Sequence, residues 1–405
     1  MKNLAVSTQL VHAGERRAAP AGLPVATPIY ATATYTYSSM AEMERVLGGE
    51  SPDYIYSRYG NPTVAALEEA LATIENGSFA CAYSSGMAAL HAALFACDLT
   101  PGAVVLASRD LFGSSFDLLR KIFGAFGVKT QTADFTDLGA LKERVDEIKP
   151  RVLLAETISN PLLKVCDIAA CAEIARSVDA RLIVDNTFAT PYLCQPLNSG
   201  ADFSVHSATK YLGGHGDATG GVVIAKEESD RPALVNVRRL GGGVLSVWEA
   251  HQILRGVKTL ALRLEKQCSN AKMLAEHFSK IQQIEKVFYP GLGNEENSVE
   301  RILRPPHGGA LVSIRLKDDT RQAAFRFMDA LKLCLRATSL GDVFTLVSHS
   351  ATSSHRELSP QERESLGITD GLVRISAGIE DAADIIADIE QALDEAAQMQ
   401  FSRRI

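Results

Sequence analysis

Between Thr63 and Ala225 the apolar residues fall into two alternating patterns. Helical spacing puts Val64, Leu67, Leu71 and Ile74 on one face, and helix-length segments recur at Gly86–Cys97, Ser114–Phe126, Asp137–Ile148 and Asp167–Val178. Between them lie short, mostly apolar runs at Phe79–Tyr83, Ala103–Ala107, Val128–Thr132, Arg151–Ala155, Arg181–Asp185, Asp202–His206 and Gly221–Ala225. Runs of that length and composition are strands buried on both faces, so the alternation predicts an α/β fold with a largely parallel sheet covered by helices. Ligands of such sheets sit beyond the carboxyl ends of the strands. Asp185 and Lys210 come at or just after two of those ends.

The flanks have different patterns. Residues 1–62 are rich in Ala, Thr, Tyr and Pro with weak periodicity, and read as an arm that needs a neighbouring subunit to lie on. Residues 63–250 carry the alternating units. Residues 251–405 read as a smaller α+β domain entered through a long helical stretch, Glu249–Ile281. Its strands are expected near Ile284–Tyr289, Gly309–Leu316 and Leu372–Ser376, and its helices at Arg321–Leu331, Pro360–Leu366 and Asp381–Ala397.

Composition narrows the class. A chain of 405 residues, 46% hydrophobic and 22% charged, can bury a large core, and a net charge of −7 with no Lys/Arg-rich run offers no footprint for nucleic acid or an anionic membrane. The seven cysteines are odd in number, scattered and set in apolar segments, as in a reduced, cytoplasmic protein. No export signal is evident near the first residues, and the longest charge-free stretch, 76–97, is broken by Tyr83-Ser84-Ser85-Gly86. His349 and His355 lack partners at ligand spacing, which argues against a metal, and no nucleotide fingerprint or Gly-x-Ser-x-Gly elbow is present.

The chemistry concentrates at strand ends. A lysine delivered by a buried strand loses hydration, which favours the neutral amine needed for a Schiff base, and Lys210 follows Phe203-Ser204-Val205-His206. Pyridoxal 5'-phosphate needs such a lysine together with an acid for its ring nitrogen, and Asp185 ends another strand. A surface lysine and a capping aspartate are the plain alternative. Tyr83 to Ala89 reads as strand, turn and helix start, leaving the N–H groups of Gly86 and Met87 free for a phosphate, with Ser207 and Thr209 completing a cup. Asn160 follows a third strand end, as either a cofactor contact or an Asn-Pro turn. Arg374 sits in mid-strand, where a buried guanidinium calls for a substrate carboxylate or a structural salt bridge, and Ser339 offers a nearby hydroxyl.

Tyr56-Ser57-Arg58-Tyr59-Gly60-Asn61-Pro62-Thr63, Ser84-Ser85-Gly86-Met87-Ala88, Glu156-Thr157 with Ser159-Asn160-Pro161, Val184-Asp185-Asn186-Thr187, Ser207-Ala208-Thr209-Lys210-Tyr211 and Ser339-Leu340-Gly341-Asp342 occur in that order. Over nearly the whole chain they resemble the Cys/Met-metabolism (trans-sulfuration) family of pyridoxal-phosphate enzymes. The resemblance implies the fold type I, aspartate aminotransferase-like architecture. It implies Lys210 as Schiff-base lysine and proton shuttle, and Asp185 as partner of the pyridine nitrogen. By the same likeness Gly86, Met87, Ser207 and Thr209 hold the phosphate, with Ser85, Phe112, Asn160 and Thr187 also at the cofactor. Tyr56 and Arg58 reach the phosphate of an adjacent subunit, so the likeness implies a homo-oligomer of at least two chains, in this family usually a dimer of dimers. Arg374, Ser339 and Asn160 orient the carboxylate of a small amino-acid substrate.

Members of that family remove a leaving group from Cγ, then either add a thiol or sulfide (γ-replacement) or release a 2-oxo acid (γ-elimination). Phe112 stands where the family usually has a tyrosine that protonates a departing thiol, a feature shared with O-succinylhomoserine sulfhydrylases. Ile55 replaces an acid common in cystathionine-handling members, and Ser114 a cysteine common in methionine γ-lyases. Tyr211-Leu212-Gly213-Gly214-His215-Gly216-Asp217 is closer to the lyases. The expectation is γ-replacement on an O-acyl-homoserine; a methionine or cystathionine γ-lyase is the alternative. A non-catalytic cofactor-binding paralogue and an aminotransferase are more remote.

Overall fold

The computed structural model describes residues 22–292 and 299–402. The apolar runs form β1 (Phe79–Tyr83), β2 (Val104–Ser108), β3 (Lys129–Ala133), β4 (Val152–Glu156), β5 (Arg181–Asp185), β6 (Phe203–Ser207) and β7 (Gly221–Ala225), in the order β1-β7-β6-β5-β4-β2-β3. β2 to β6 run parallel, and β7 lies antiparallel between β6 and β1. The central strands are buried at nearly every position, whereas β3, an edge strand, keeps Lys129 and Thr132 exposed.

Because successive side chains point to opposite faces, each strand feeds two cores. Leu153, Leu182 and Val184 pack on one face, which over β1 and β7 carries the helix Pro62–Glu75, along which Val247–Val257 is laid. Leu154, Ile183, Phe203 and Val205 pack on the other, against the helix Gly86–Phe95. The helix Pro62–Glu75 has sharp ends for local reasons: Asn61 caps it by accepting the Thr63 N–H, proline opens it, and Asn76 closes it in the left-handed region (φ 57°).

A second sheet, β10-β11-β12-β9-β8, is built from β8 (Ile284–Phe288), β9 (Leu311–Leu316), β10 (Leu335–Arg336), β11 (Leu346–His349) and β12 (Leu372–Ser376). Its apolar face, with Val312, Ile314, Val373 and Ile375, is covered by Leu260–Phe278, Arg321–Ala330 and the closing helix Ala382–Ser402.

Several elements differ from the sequence reading. The stretch Glu249–Ile281 is two helices, Val247–Val257 and Leu260–Phe278. The first of them ends where Gly256 presses on the turn after Lys210: an added Cβ would come 2.1 Å from the Gly213 carbonyl. Ser114–Phe126 splits into an α turn (Gly113–Asp117), a π-helical stretch (Leu118–Phe123) and a 3-10 turn ending at Gly127 (φ 82°). β10 and β11 were not anticipated, being short and carrying inward Ser348 and His349. Neither was the helix Arg231–Gly241, whose inward face includes Arg238, paired with Glu68 at 2.5 Å. Within the arm, residues 22–62, the helix Met40–Leu47 buries no residue, and Leu23 and Val25 are almost wholly exposed in the single chain; residues 1–21 lie outside the described structure. All seven cysteines are buried free thiols.

Candidate active site

The carboxyl ends of β4, β5 and β6 place Glu156, Asp185 and Ser207 on the sheet face that carries the helix Gly86–Phe95, since each shares the parity of Leu154, Ile183 and Val205. That helix starts beside Ser207. Ser85 caps it by accepting the Ala88 N–H at 3.1 Å, and its first turn leaves the N–H groups of Gly86 and Met87 without intrahelical acceptors. Only glycines allow the approach: a Cβ on Gly86 would lie 2.7 Å from the Ser207 Cβ, and one on Gly221 would lie 2.1 Å from the Ser85 carbonyl oxygen. Backbone donors, the positive end of a helix and the Ser207 hydroxyl thus converge on one spot, an arrangement suited to a phosphate. Thr209 is adjacent, but its hydroxyl accepts the Gly220 N–H at 3.0 Å and lies 3.2 Å from the Gly220 carbonyl.

Lys210 stands in the turn that follows β6. Its Nζ donates to Ser339 Oγ at 2.9 Å, and burial, with the Arg374 charge second, pushes its ammonium below the usual lysine range. Asp185 accepts the Thr187 N–H at 3.0 Å, and the Thr187 hydroxyl in turn accepts the Ser207 N–H at 2.8 Å, tying β5 to β6. Burial raises the Asp185 carboxyl, while its bonds to Thr187 and, more weakly, the His206 side chain on the other face of the sheet pull the other way. Phe112 N–H donates to Glu156 Oε1 at 2.8 Å, fixing the Phe112 turn to the end of β4.

Arg374 projects from the face of β12 opposite its apolar core. It is 4% exposed, donates to Asn160 Oδ1 at 2.8 Å and to the Ser339 carbonyl at 3.1 Å, and leaves its Nε without a partner. Both partners are neutral, and burial pushes the guanidinium down to about 10, offset in part by Tyr211 and Glu156. The structural salt bridge allowed by the sequence is therefore not formed among the described residues, and the buried cation is left to an incoming anion. Ser313 Oγ donates to the Pro161 carbonyl at 2.6 Å, so the Asn160 turn of the large sheet rests on the small one.

One set of bonds joins Lys210, Ser339, Arg374 and Asn160, and another joins Asp185, Thr187 and Ser207, with Gly86 beside Ser207. Tyr56 and Arg58 are apart from both on the outside of the chain. Tyr56 is 40% exposed, and Arg58 stacks on Tyr59 (4.9 Å) and donates to the Arg239 carbonyl at 2.8 Å. Sequence reasoning missed a second tier. Glu75, fully buried at the end of the helix Pro62–Glu75, accepts from His206 Nε2 (2.5 Å), Ser204 Oγ (2.8 Å) and Asn186 Nδ2 (3.1 Å), and Asn186 Oδ1 accepts from Thr157 (2.7 Å). The polar parity of Ser204 and His206 within β6 was the available signal.

A half-buried lysine with a weakened ammonium, a carboxyl at the neighbouring strand end and unpaired N–H groups at a helix start suit an aldehyde, a ring nitrogen and a phosphate in turn. Fold and site together define a pyridoxal-phosphate enzyme of fold type I. The comparisons agree with that chemistry: residues 7–394 match the model of the Cys/Met metabolism PLP-dependent enzymes, and the chain belongs to that family. It is 41% identical to an L-methionine gamma-lyase of Pseudomonas putida, over 91% of this chain and 92% of that protein. It is 39% identical to an O-succinylhomoserine sulfhydrylase of Pseudomonas aeruginosa, over 97% and 96%. A solved Campylobacter jejuni chain that carries N'-pyridoxyl-lysine-5'-monophosphate superposes with a TM-score of 0.86 at 30% identity, covering 92% of this chain and 96% of that one. Among the described residues no helix is long and apolar enough to cross a membrane.

Proposed function

We propose that this enzyme replaces the acyloxy group at Cγ of an O-acyl-homoserine with sulfide or a small thiol, in the cytoplasm and as a dimer of dimers. Bound pyridoxal phosphate supplies an electron sink that makes the hydrogens at Cα and then Cβ acidic. Lys210 Nζ would hold the aldehyde and would carry the proton of the substrate, its neutral amine favoured by burial and by Arg374. Asp185 keeps the ring nitrogen protonated. Ser85, Gly86, Met87, Ser207 and Thr209 hold the phosphate, Thr209 by turning its hydroxyl from Gly220, with Tyr56 and Arg58 reaching it from the adjacent subunit. Arg374 takes the substrate α-carboxylate on the edge not used by Asn160 and Ser339. The Cγ–O bond breaks, the carboxylate leaves, and sulfur forms the new bond at Cγ.

The observation that carries the choice is Phe112. Held at the site by its backbone bond to Glu156, it presents a ring with no donor. A departing thiolate needs a proton, whereas a carboxylate leaves without one. The second reading, γ-elimination from methionine, is favoured by the likeness to the Pseudomonas putida lyase. Cofactor-loaded enzyme given O-succinyl- or O-acetyl-homoserine with sulfide should yield homocysteine. Methanethiol and 2-oxobutyrate from methionine, with no homocysteine from either ester, rejects the proposal in favour of the lyase.

A further inference from the structure

Glu156 and Asp185 are register partners on adjacent parallel strands, and both belong to the same face of the sheet. Two carboxyls so placed in a largely desolvated site repel when both are charged, and one holds a proton over a wide pH range. Their surroundings differ. Asp185 takes bonds from Thr187 and feels the His206 imidazole only through the sheet, from its other face. Glu156 takes the Phe112 N–H on Oε1 and a backbone bond from Asn160, while its Oε2 is sealed from solvent and has no partner among the described residues. A charged oxygen left unbonded there costs far more than a hydroxyl in the same place.

We propose that Glu156 is a positioning residue held as a neutral carboxylic acid. It fastens the Phe112 and Asn160 turns to the end of β4 and leaves Asp185 the lone anion of the pair. Burial first, and the Asp185 charge second, push the Glu156 carboxyl well up. Of the other charged groups around it, Asp110 pushes the same way but is neutralised by Lys164 at 2.9 Å. Arg374 on β12 pulls the other way, but its hydrogen bonds go to Asn160 and Ser339 and none to Glu156. The inference deepens the proposed reaction without depending on it, because protonation is read directly.

The test is infrared difference spectroscopy of the cofactor-loaded full chain at pH 7, wild type against Glu156→Gln, with 13C-labelled glutamate. A protonated-carboxyl carbonyl band, isotope-shifted and absent from Glu156→Gln, is expected. Loss of carboxylate bands instead overturns the proposal. Glutamine mimics the neutral acid, so Glu156→Gln is expected to keep kcat/KM for the ester within about threefold, whereas Glu156→Ala, which frees the Phe112 turn, is expected to lose about 10²-fold. Equal losses in both variants, with the Gln protein folded by circular dichroism, also overturn it. If no homoserine ester is turned over at all, the proposed reaction fails while the infrared result still decides the state of Glu156.

Discussion

Replacing Arg374 with methionine separates a binding role from a structural one by the sign of the stability change. The guanidinium is buried with no counter-ion within ion-pair distance among the described residues, and its drop to about 10 corresponds to about 3 kcal/mol of disfavoured charge at 1.36 kcal/mol per pH unit. Removing it relieves that cost. The substitution also strips donors from Asn160 Oδ1 and the Ser339 carbonyl, at about 1–2 kcal/mol each. The two effects nearly cancel, so the full chain without ligand should change by no more than about 1 kcal/mol. Breaking a satisfied buried ion pair would cost about 3–5 kcal/mol. Substrate binding behaves differently: losing a desolvated partner for a carboxylate costs at least about 2 kcal/mol, or about 30-fold in KM. Urea unfolding of both proteins reads the first quantity and steady-state kinetics the second. A stability loss above about 3 kcal/mol with KM unchanged would refute the reasoning and make Arg374 a structural residue.

Phe112→Tyr restores a phenol at the site and should raise kcat/KM for elimination from methionine by at least about tenfold, measured as 2-oxobutyrate; an unchanged rate removes the leaving-group argument. Glu75→Ala leaves His206 Nε2, Ser204 Oγ and Asn186 Nδ2 without their shared acceptor, and should cost about 3–5 kcal/mol in urea unfolding; a loss under 1 kcal/mol would mean that the cluster readily re-pairs. The lowered ammonium of Lys210 makes the free amine available at lower pH than in an ordinary lysine, so the rate of cofactor uptake by the cofactor-free chain should rise with its midpoint below pH 10.5. In Arg374→Met, with a neighbouring charge removed, that midpoint should move upward; a midpoint that stays fixed would leave desolvation as the whole cause.

The strands of the large sheet were legible in the chain because each is a short, largely apolar run, and a strand buried on both faces needs no partner to be recognised. The strand-end chemistry was legible for the same reason: Asp185, Ser207 and Lys210 come where such runs stop. What depended on distant partners was not. Thr259 separates two helices where the chain passes Gly213, which the helical periodicity of Glu249–Ile281 hides. β11 reads as polar until it is paired between β10 and β12, and Arg238 looks like a surface residue until Glu68 meets it. The tertiary structure alone brought Arg374 to Asn160 across 214 positions, set Glu75 beneath β6, and put Glu156 beside Asp185. Local sequence fixes which residues can sit at a strand end. Only the register of separate strands decides which charges must share that end, because electrostatic coupling depends on distance in space and not along the chain.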